Sequence, residues 1–211
     1  MKNFFTMEGF CIFALYIKFN IMKIEIDVPD GVSGDWRIET FIVEERELSQ
    51  VLSLLKTGRG VPAGTYKRLM HRRDVVMSNT PDEIRDFLNF FYKAKGSILI
   101  NGLGMGVLIK ALLTKPEVTD ITVIELSPDV IKLSGPTYEK DSRVTIIQSD
   151  AFTWKPPKGK KYDAVWHDIW DYLCGDNIPE MDKLHRKYRS KTAYQESWGR
   201  AFCKRAVRGY Y

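Results

Sequence analysis

Ser97-Ile-Leu-Ile-Asn-Gly-Leu-Gly-Met-Gly106 is the stretch whose reading decides the fold. Ile98, Leu99 and Ile100 form a short apolar run of the kind found in parallel strands covered on both faces. Gly102, Gly104 and Gly106 follow, and glycine admits positive φ and close approach of other groups to the backbone. Val107 to Leu113 reads as a helix whose first N–H groups point back at the turn. Strand, glycine turn and helix together form the nucleotide-cofactor corner of a doubly wound α/β fold.

Further strands are expected on either side. Downstream, Ile121–Ile124 ends in Glu125, Arg143–Ile147 ends near Ser149-Asp150, and Tyr162–Trp166 runs into His167-Asp168. Helices are expected from Val107, from Pro128 and over 179–189 and 192–207. Strands alternating with helices predict right-handed crossovers and a parallel sheet. Upstream, Ile24, Ile26 and Val28 alternate with charged residues, predicting a half-exposed strand that pairs with Trp36–Val43 as a hairpin. Glu44–Leu55 reads as a helix, and Asp74–Met77 as a short strand. Thr80, Pro81 and Glu83 mark the start of a helix running to about Tyr92. Residues 1–21 read as an N-terminal extension, 22–73 as a hairpin and helix region, 74–172 as a Rossmann-like core, and 173–211 as a basic helical segment.

Composition bounds the rest. The 211 residues are 44% hydrophobic and 28% charged, as expected of a globular chain with its own core. Cys11, Cys174 and Cys203, like His71, His167 and His185, show no metal-ligand spacing. A reducing, cytoplasmic setting without structural metal is expected. The apolar run near the N-terminus is too short to span a bilayer, so no membrane partner is expected. The net charge of +5 is uneven: from Lys183 onward nine lysines and arginines stand against one acid, Glu196. Such a tail can bind nucleic acid, but a solvated helix face is the favoured reading, since no aromatic-interleaved nucleic-acid motif accompanies it. Lys67, Arg68, His71, Arg72 and Arg73 form a second basic patch, read as a surface turn or as a steering patch for an anionic substrate.

Ligands of such sheets sit outside the carboxyl ends of the strands, and here each strand ends in a suitable group. Glu125, 19 residues beyond Gly106, can accept both hydroxyls of a ribose. Asp150 can accept from an adenine amino group. Asp168 and Asp171 lie over the reactive end of the ligand. The glycine spacing is G-x-G-x-G, with Val107 where a dinucleotide site usually has its third glycine.

On these residues the chain resembles the class I S-adenosylmethionine-dependent methyltransferases, and more narrowly their spermidine synthase-like branch. The matching segments are residues 98–106, Pro116–Glu125, Asp141–Val144, Ser149–Ala151 and Tyr162–Asp168. The resemblance implies an α/β, Rossmann-like fold of class I methyltransferase type: a mostly parallel sheet flanked by helices, with an N-terminal β-hairpin. It implies S-adenosylmethionine as cofactor, or its decarboxylated form in a polyamine synthase. Asn101, Gly102, Gly104, Gly106, Glu125, Leu126, Asp150 and Ala151 are the implied cofactor contacts. Asp168 is implied as the acid that orients and deprotonates an attacking amine, and Asp171 as a second, amine-holding acid.

The chain also departs from the branch. Asp171 is followed by Tyr-Leu-Cys rather than proline, and Val75-Val-Met77 stands where the branch has a polar cofactor contact. The C-terminal 40 residues read as helical, so the sheet is expected to stop after its fourth strand, its open edge covered by the hairpin or a second copy in a homo-oligomer. No N/D-P-P-Y motif and no Pro-Cys pair is present, so methylation of DNA bases at amino groups or at cytosine C5 is unsupported. The expected activity is methyl transfer to a small-molecule acceptor. Aminopropyl transfer, cleavage of the cofactor, and a non-catalytic cofactor- or nucleic-acid-binding module remain as alternatives.

Overall fold

The computed structural model describes residues 24–44 and 61–208. The expected extension over 1–21 and the body of the expected helix from Glu44 to Leu55 lie outside them.

Two sheets are present. The first is antiparallel, in the order β1 (Gly31–Ser33), β2 (Trp36–Val43), β3 (Gly64–His71), β4 (Asp74–Ser78). The expected N-terminal hairpin exists, but its first strand is β1. Ser33 pairs with Trp36 across a two-residue turn in which Gly34 has φ +55°. Ile24, Ile26 and Val28 alternate with exposed residues as expected, yet they join no ladder. They bury their side chains in the core, and the Asn79 amide holds the Ile24 carbonyl at 3.0 Å. The basic patch is strand rather than turn up to His71. Lys67 pairs with Asp30, Arg68 with Glu39 and Arg72 with Asp35, so its charge is largely matched within the sheet.

After α1 (Pro81–Lys93) comes the second sheet. Its elements are β5 (Gly96–Asn101), α2 (Val107–Leu113), β6 (Val118–Glu125), α3 (Pro128–Tyr138), β7 (Val144–Gln148), β8 (Tyr162–His167), α4 (Asn177–Tyr188), β9 (Thr192–Ser197) and α5 (Arg200–Val207). All its strands are parallel, in the order β7-β6-β5-β8-β9. The chain steps one way from β5 to β7 and the other way from β8 to β9, so the order reverses between β5 and β8. Right-handed crossovers then put helices on both faces. Ile98 and Ile100 of β5 pack with α1, α2 and α3, whereas Leu99 packs with α4 and α5.

The sheet does not stop at its fourth strand. Thr192–Ser197, read above as helix, is a fifth strand, with Tyr162 opposite Thr192 and His167 opposite Ser197. The helical residues begin only after Gly199, whose φ of +57° breaks the chain direction. Tertiary pairing with β8 outweighs weak local preference here. This strand covers the edge that the sequence left open. The segment's basic charge is also partly used internally: Lys187 donates to the Ala151 and Trp154 carbonyls, and Arg200 pairs with Asp182. Among the described residues no helix is long and apolar enough to cross a membrane, and no group of side chains is arranged to hold a metal ion.

α3 joins the two sheets, with Asp129 Oδ1 accepting from the Ser33 hydroxyl at 2.6 Å; beside α2 packs α1. Thr80 caps it without a side-chain bond; Glu83 instead reaches back to the Ser78 N–H and hydroxyl. Phe90 is fully buried, its ring 5.2 Å from that of Trp166 and 5.7 Å from that of Tyr194. Phe90→Ala therefore removes a ring that touches both β8 and β9. We expect a loss of about 3–5 kcal/mol in urea unfolding; a loss below about 1 kcal/mol contradicts this packing.

Candidate functional site

The site begins with a steric condition. Gly102 follows β5 with φ +101°, and a Cβ there would overlap the carbonyl oxygen of Asp168, just beyond β8. The Gly102 N–H donates to the Ile124 carbonyl at 2.8 Å, which carries the turn over towards β6. Gly104, at φ +50°, faces the Met77 sulfur, and Met77 Sδ accepts from the Met105 N–H at 3.1 Å. Gly106, at φ +68°, is the N-cap of α2 and lies against the Tyr138 ring, whose hydroxyl donates to the Met105 carbonyl at 2.6 Å. Each glycine of the turn is thus required by a protein neighbour.

A cavity of about 460 Å³ opens at the carboxyl ends of β5, β6, β7 and β8. That is within the usual range for a cofactor site. It gathers Gly102, Gly104, Glu125, Leu126, Asp150, Ala151, Asp168 and Asp171. Two of the residues expected there are elsewhere. Asn101 is fully buried, with its amide Nδ2 2.7 Å from His167 Nδ1, and Gly106 is packed under Tyr138. Neither lines the cavity.

Glu125 is held from both sides. Its Oε2 accepts from the Leu103 N–H and its Oε1 from the Ser127 N–H, each at 2.8 Å. Burial raises its pKa, and these backbone N–H bonds oppose the rise. Asp150 Oδ1 accepts from the Phe152 N–H at 2.7 Å, which turns the chain so that Ala151 forms the cavity wall. Asp168 lies beside the Trp166 indole, Nε1 to Oδ2 3.4 Å. Burial raises its pKa to about 7; the indole N–H opposes this, and Glu83 and Asp86 add to it. Glu83 is likewise raised to about 7, chiefly by burial. Asp171 is more exposed, its Oδ2 3.8 Å from His71 Nδ1, and His71 stacks on Trp36 at 4.3 Å. That contact joins the antiparallel sheet to the loop after β8.

Several lining residues were not singled out from the sequence. Trp36, Met77 and Ser78 come from the antiparallel sheet, Glu83 from α1, Glu180 from α4 and Trp198 from beyond β9. Glu180 accepts from the Trp170 indole at 2.8 Å. The lining holds six carboxylates (Glu83, Glu125, Asp150, Asp168, Asp171, Glu180) and the indoles of Trp36, Trp166, Trp170 and Trp198. Among the described residues no lysine, arginine or histidine lines it. Its chemistry is that of a site for a cation with flat apolar groups.

No family model matches the chain. In sequence it is similar to a polyamine aminopropyltransferase of Corynebacterium efficiens, 33% identical over 136 residues that cover 57% of this chain and 24% of that protein. A second, polyamine aminopropyltransferase 1 of Streptomyces coelicolor, is 32% identical over 85 residues, covering 36% of this chain and 16% of the relative. The polyamine aminopropyltransferase of Mycobacterium tuberculosis is 30% identical over 128 residues, covering 53% and 23%. The similarity thus spans about a quarter or less of each relative's length. Among solved structures, the N-methyltransferase NodS of Bradyrhizobium japonicum overlays at 19% identity and a TM-score of 0.42, covering 58% of this chain and 67% of that one. The N-terminal domain of EvdMO1 with bound S-adenosylhomocysteine overlays at 20% identity and a TM-score of 0.41, covering 55% and 47%. The fold itself rests on this chain's own sheet order and strand-end cavity. In sequence the chain is similar to part of the polyamine aminopropyltransferases, and its own fold is a parallel α/β sheet with a cavity at the strand ends where the order reverses.

Proposed function

We propose that the protein is an S-adenosylmethionine-dependent transferase that moves a methyl group to a small amine acceptor. One observation carries this reading: the strand-end cavity is lined by carboxylates and indoles, with no cationic side chain among the described residues. A sulfonium and a protonated amine both suit such a lining.

The residues present fit the cofactor. Glu125, fixed by the Leu103 and Ser127 N–H groups, keeps acceptor capacity for two ribose hydroxyls. Asp150 and the wall at Ala151 suit adenine, and the turn at Gly102 and Gly104 admits the chain of the amino-acid part. When bound, the cofactor supplies an electrophilic carbon on a sulfonium centre. The protein's task is then alignment and proton removal. Asp168, with a pKa near 7, takes a proton from the acceptor's ammonium nitrogen before it attacks, which frees the lone pair that forms the new carbon–nitrogen bond. Asp171 and Glu180 hold the acceptor's charge, and Trp166 and Trp170 present aromatic faces to it.

Aminopropyl transfer is the second reading, favoured by the similarity to polyamine aminopropyltransferases and by the Asp168–Asp171 pair. The two readings differ in the form of cofactor consumed. Titration with S-adenosylmethionine and with its decarboxylated form separates them by which binds more tightly.

Three outcomes test the site. In calorimetry, Glu125→Ala should weaken cofactor binding by about tenfold or more through loss of a charged acceptor; unchanged affinity removes Glu125 from the site. Asp168→Asn should lower turnover by roughly 10²–10⁴-fold while cofactor affinity stays within a few-fold. Full activity in that variant rules out its role as base.

The third outcome concerns pH. Folded Asp168 holds its proton up to about pH 7, whereas an ordinary aspartate releases it near 3.8. Its stabilising contribution is therefore present at low pH and lost as the pH rises through that window, and Glu83 acts in the same direction. Asp168→Asn removes one contribution of this kind and leaves those of Glu83 and Glu125. The drop in urea midpoint between about pH 5 and pH 8 should shrink in the variant; an identical drop contradicts the burial described above.

A further inference from the structure

Asn101 and His167 were not needed to build the cavity, yet they occupy two telling positions. Asn101 is the last residue of β5 and His167 the last of β8, and they stand opposite one another in the parallel ladder. Both are fully buried. The Asn101 amide Nδ2 is 2.7 Å from His167 Nδ1. His167 Nε2 is 3.3 Å from Gln195 Oε1 on β9, and Gln195 Nε2 donates to the His185 carbonyl at 3.0 Å. With the Asn101 amide as donor, Nδ1 accepts and the Nε2 proton goes to Gln195, so donation runs one way across β5, β8, β9 and α4. Burial lowers the His167 pKa to about 3, and the ring stays neutral throughout. The His167 ring lies 5.3 Å from that of His185 and 5.6 Å from that of Tyr188, both on α4.

The pair draws its importance from the next residue on each strand. Gly102 comes directly after Asn101, and Asp168 directly after His167. The Asp168 N–H donates to the Asn101 carbonyl at 2.8 Å, and the Asp168 carbonyl fills the space where a Gly102 side chain would be. A pair of apolar side chains would fill the same volume without the desolvation cost of two buried polar groups. It would also leave the relation of the two strand ends to the backbone bonds alone, since apolar contact has no preferred direction. A directed bond between the strand ends does not.

We propose that Asn101 and His167 form a positioning clasp that sets the glycine turn and Asp168 in fixed relation, without either residue touching the ligand. The catalytic consequence rests on the transferase reading above; the clasp itself is testable in the ligand-free protein. Cutting it should let Asp168 swing out from beside Trp166, Glu83 and Asp86, the groups that face it.

The test is a carbon-detected NMR titration of the Asp168 carboxyl in the full-length protein and in His167→Phe, His167→Gln and Leu184→Val. The parent should titrate near pH 7. In His167→Phe the midpoint should fall by about one unit or more as the carboxyl becomes solvated. The His167→Gln side chain keeps a donor and an acceptor and should hold the parent midpoint. Leu184→Val perturbs the same core cluster without removing a hydrogen bond of either clasp residue, so its midpoint should also stay. If His167→Phe fails to fold, Asn101→Ala cuts the same bond from the other side and carries the comparison. An unchanged Asp168 midpoint in the clasp variants overturns the proposal, as does an equal shift in Leu184→Val. Titrating the parent with S-adenosylmethionine separates the two ideas. No binding there overturns the transferase reading and leaves the clasp standing.

Discussion

At the point where the sheet order reverses, the Asp168 carbonyl passes so close to Gly102 that the turn has no room for a side chain. Much of the site depends on that contact. β5 and β8 are neighbours whose chains leave towards opposite faces, and a crevice opens between the departing segments. The positive φ of Gly102 sends the chain over β6, where its N–H meets the Ile124 carbonyl. The next residue, Leu103, can then donate its N–H to Glu125. A single steric requirement thus places the glycine turn, Glu125 and Asp168 within one cavity.

The antiparallel sheet and α1 complete the cavity, and they do so at an electrostatic cost. Met77 reaches from β4 to occupy the Met105 N–H, and Glu83 folds back on Ser78 while facing the same space. Carboxylates crowded into a part-buried crevice resist ionisation, as the upward shifts of Asp168, Glu83 and Glu125 show. Such crowding does nothing for stability. It becomes useful only when a cation enters, because each charge then gains a partner and the desolvation already imposed is offset.

Much of this was legible in the sequence because it is local. Strands β5 to β8 show as apolar runs, and Glu125, Asp150 and Asp168 are found simply by asking what closes each strand. The features that escaped are those that depend on tertiary partners. β9 is six residues long, with weak alternation and strongly helical surroundings, and only its pairing with β8 makes it a strand. Trp36, Glu83, Glu180 and Trp198 reach the cavity from elements far away in the chain. That Asn101 does not line the cavity follows from alternation along a strand: Asn101 shares a face with Leu99, which packs towards α4. Its place next to Gly102 suggested a ligand contact, whereas strand parity pointed to the opposite face.

A tension remains between the chain's charge and its cavity. The net charge is +5, with the excess towards the C-terminus, while the crevice would draw a cation. Range resolves it. At physiological ionic strength the field of surface charges fades over about 8 Å, and repulsion from the exposed lysines and arginines of α4 and α5 is weak beyond that distance. Inside the crevice, low-dielectric indole walls focus the field of the carboxylates, and screening by salt is slight. Part of the basic excess is moreover held inward, Lys187 on the Ala151 and Trp154 carbonyls and Arg200 on Asp182. The field inside the crevice is therefore set by the handful of carboxylates around Asp168 rather than by the total, and a basic protein can carry an acidic crevice.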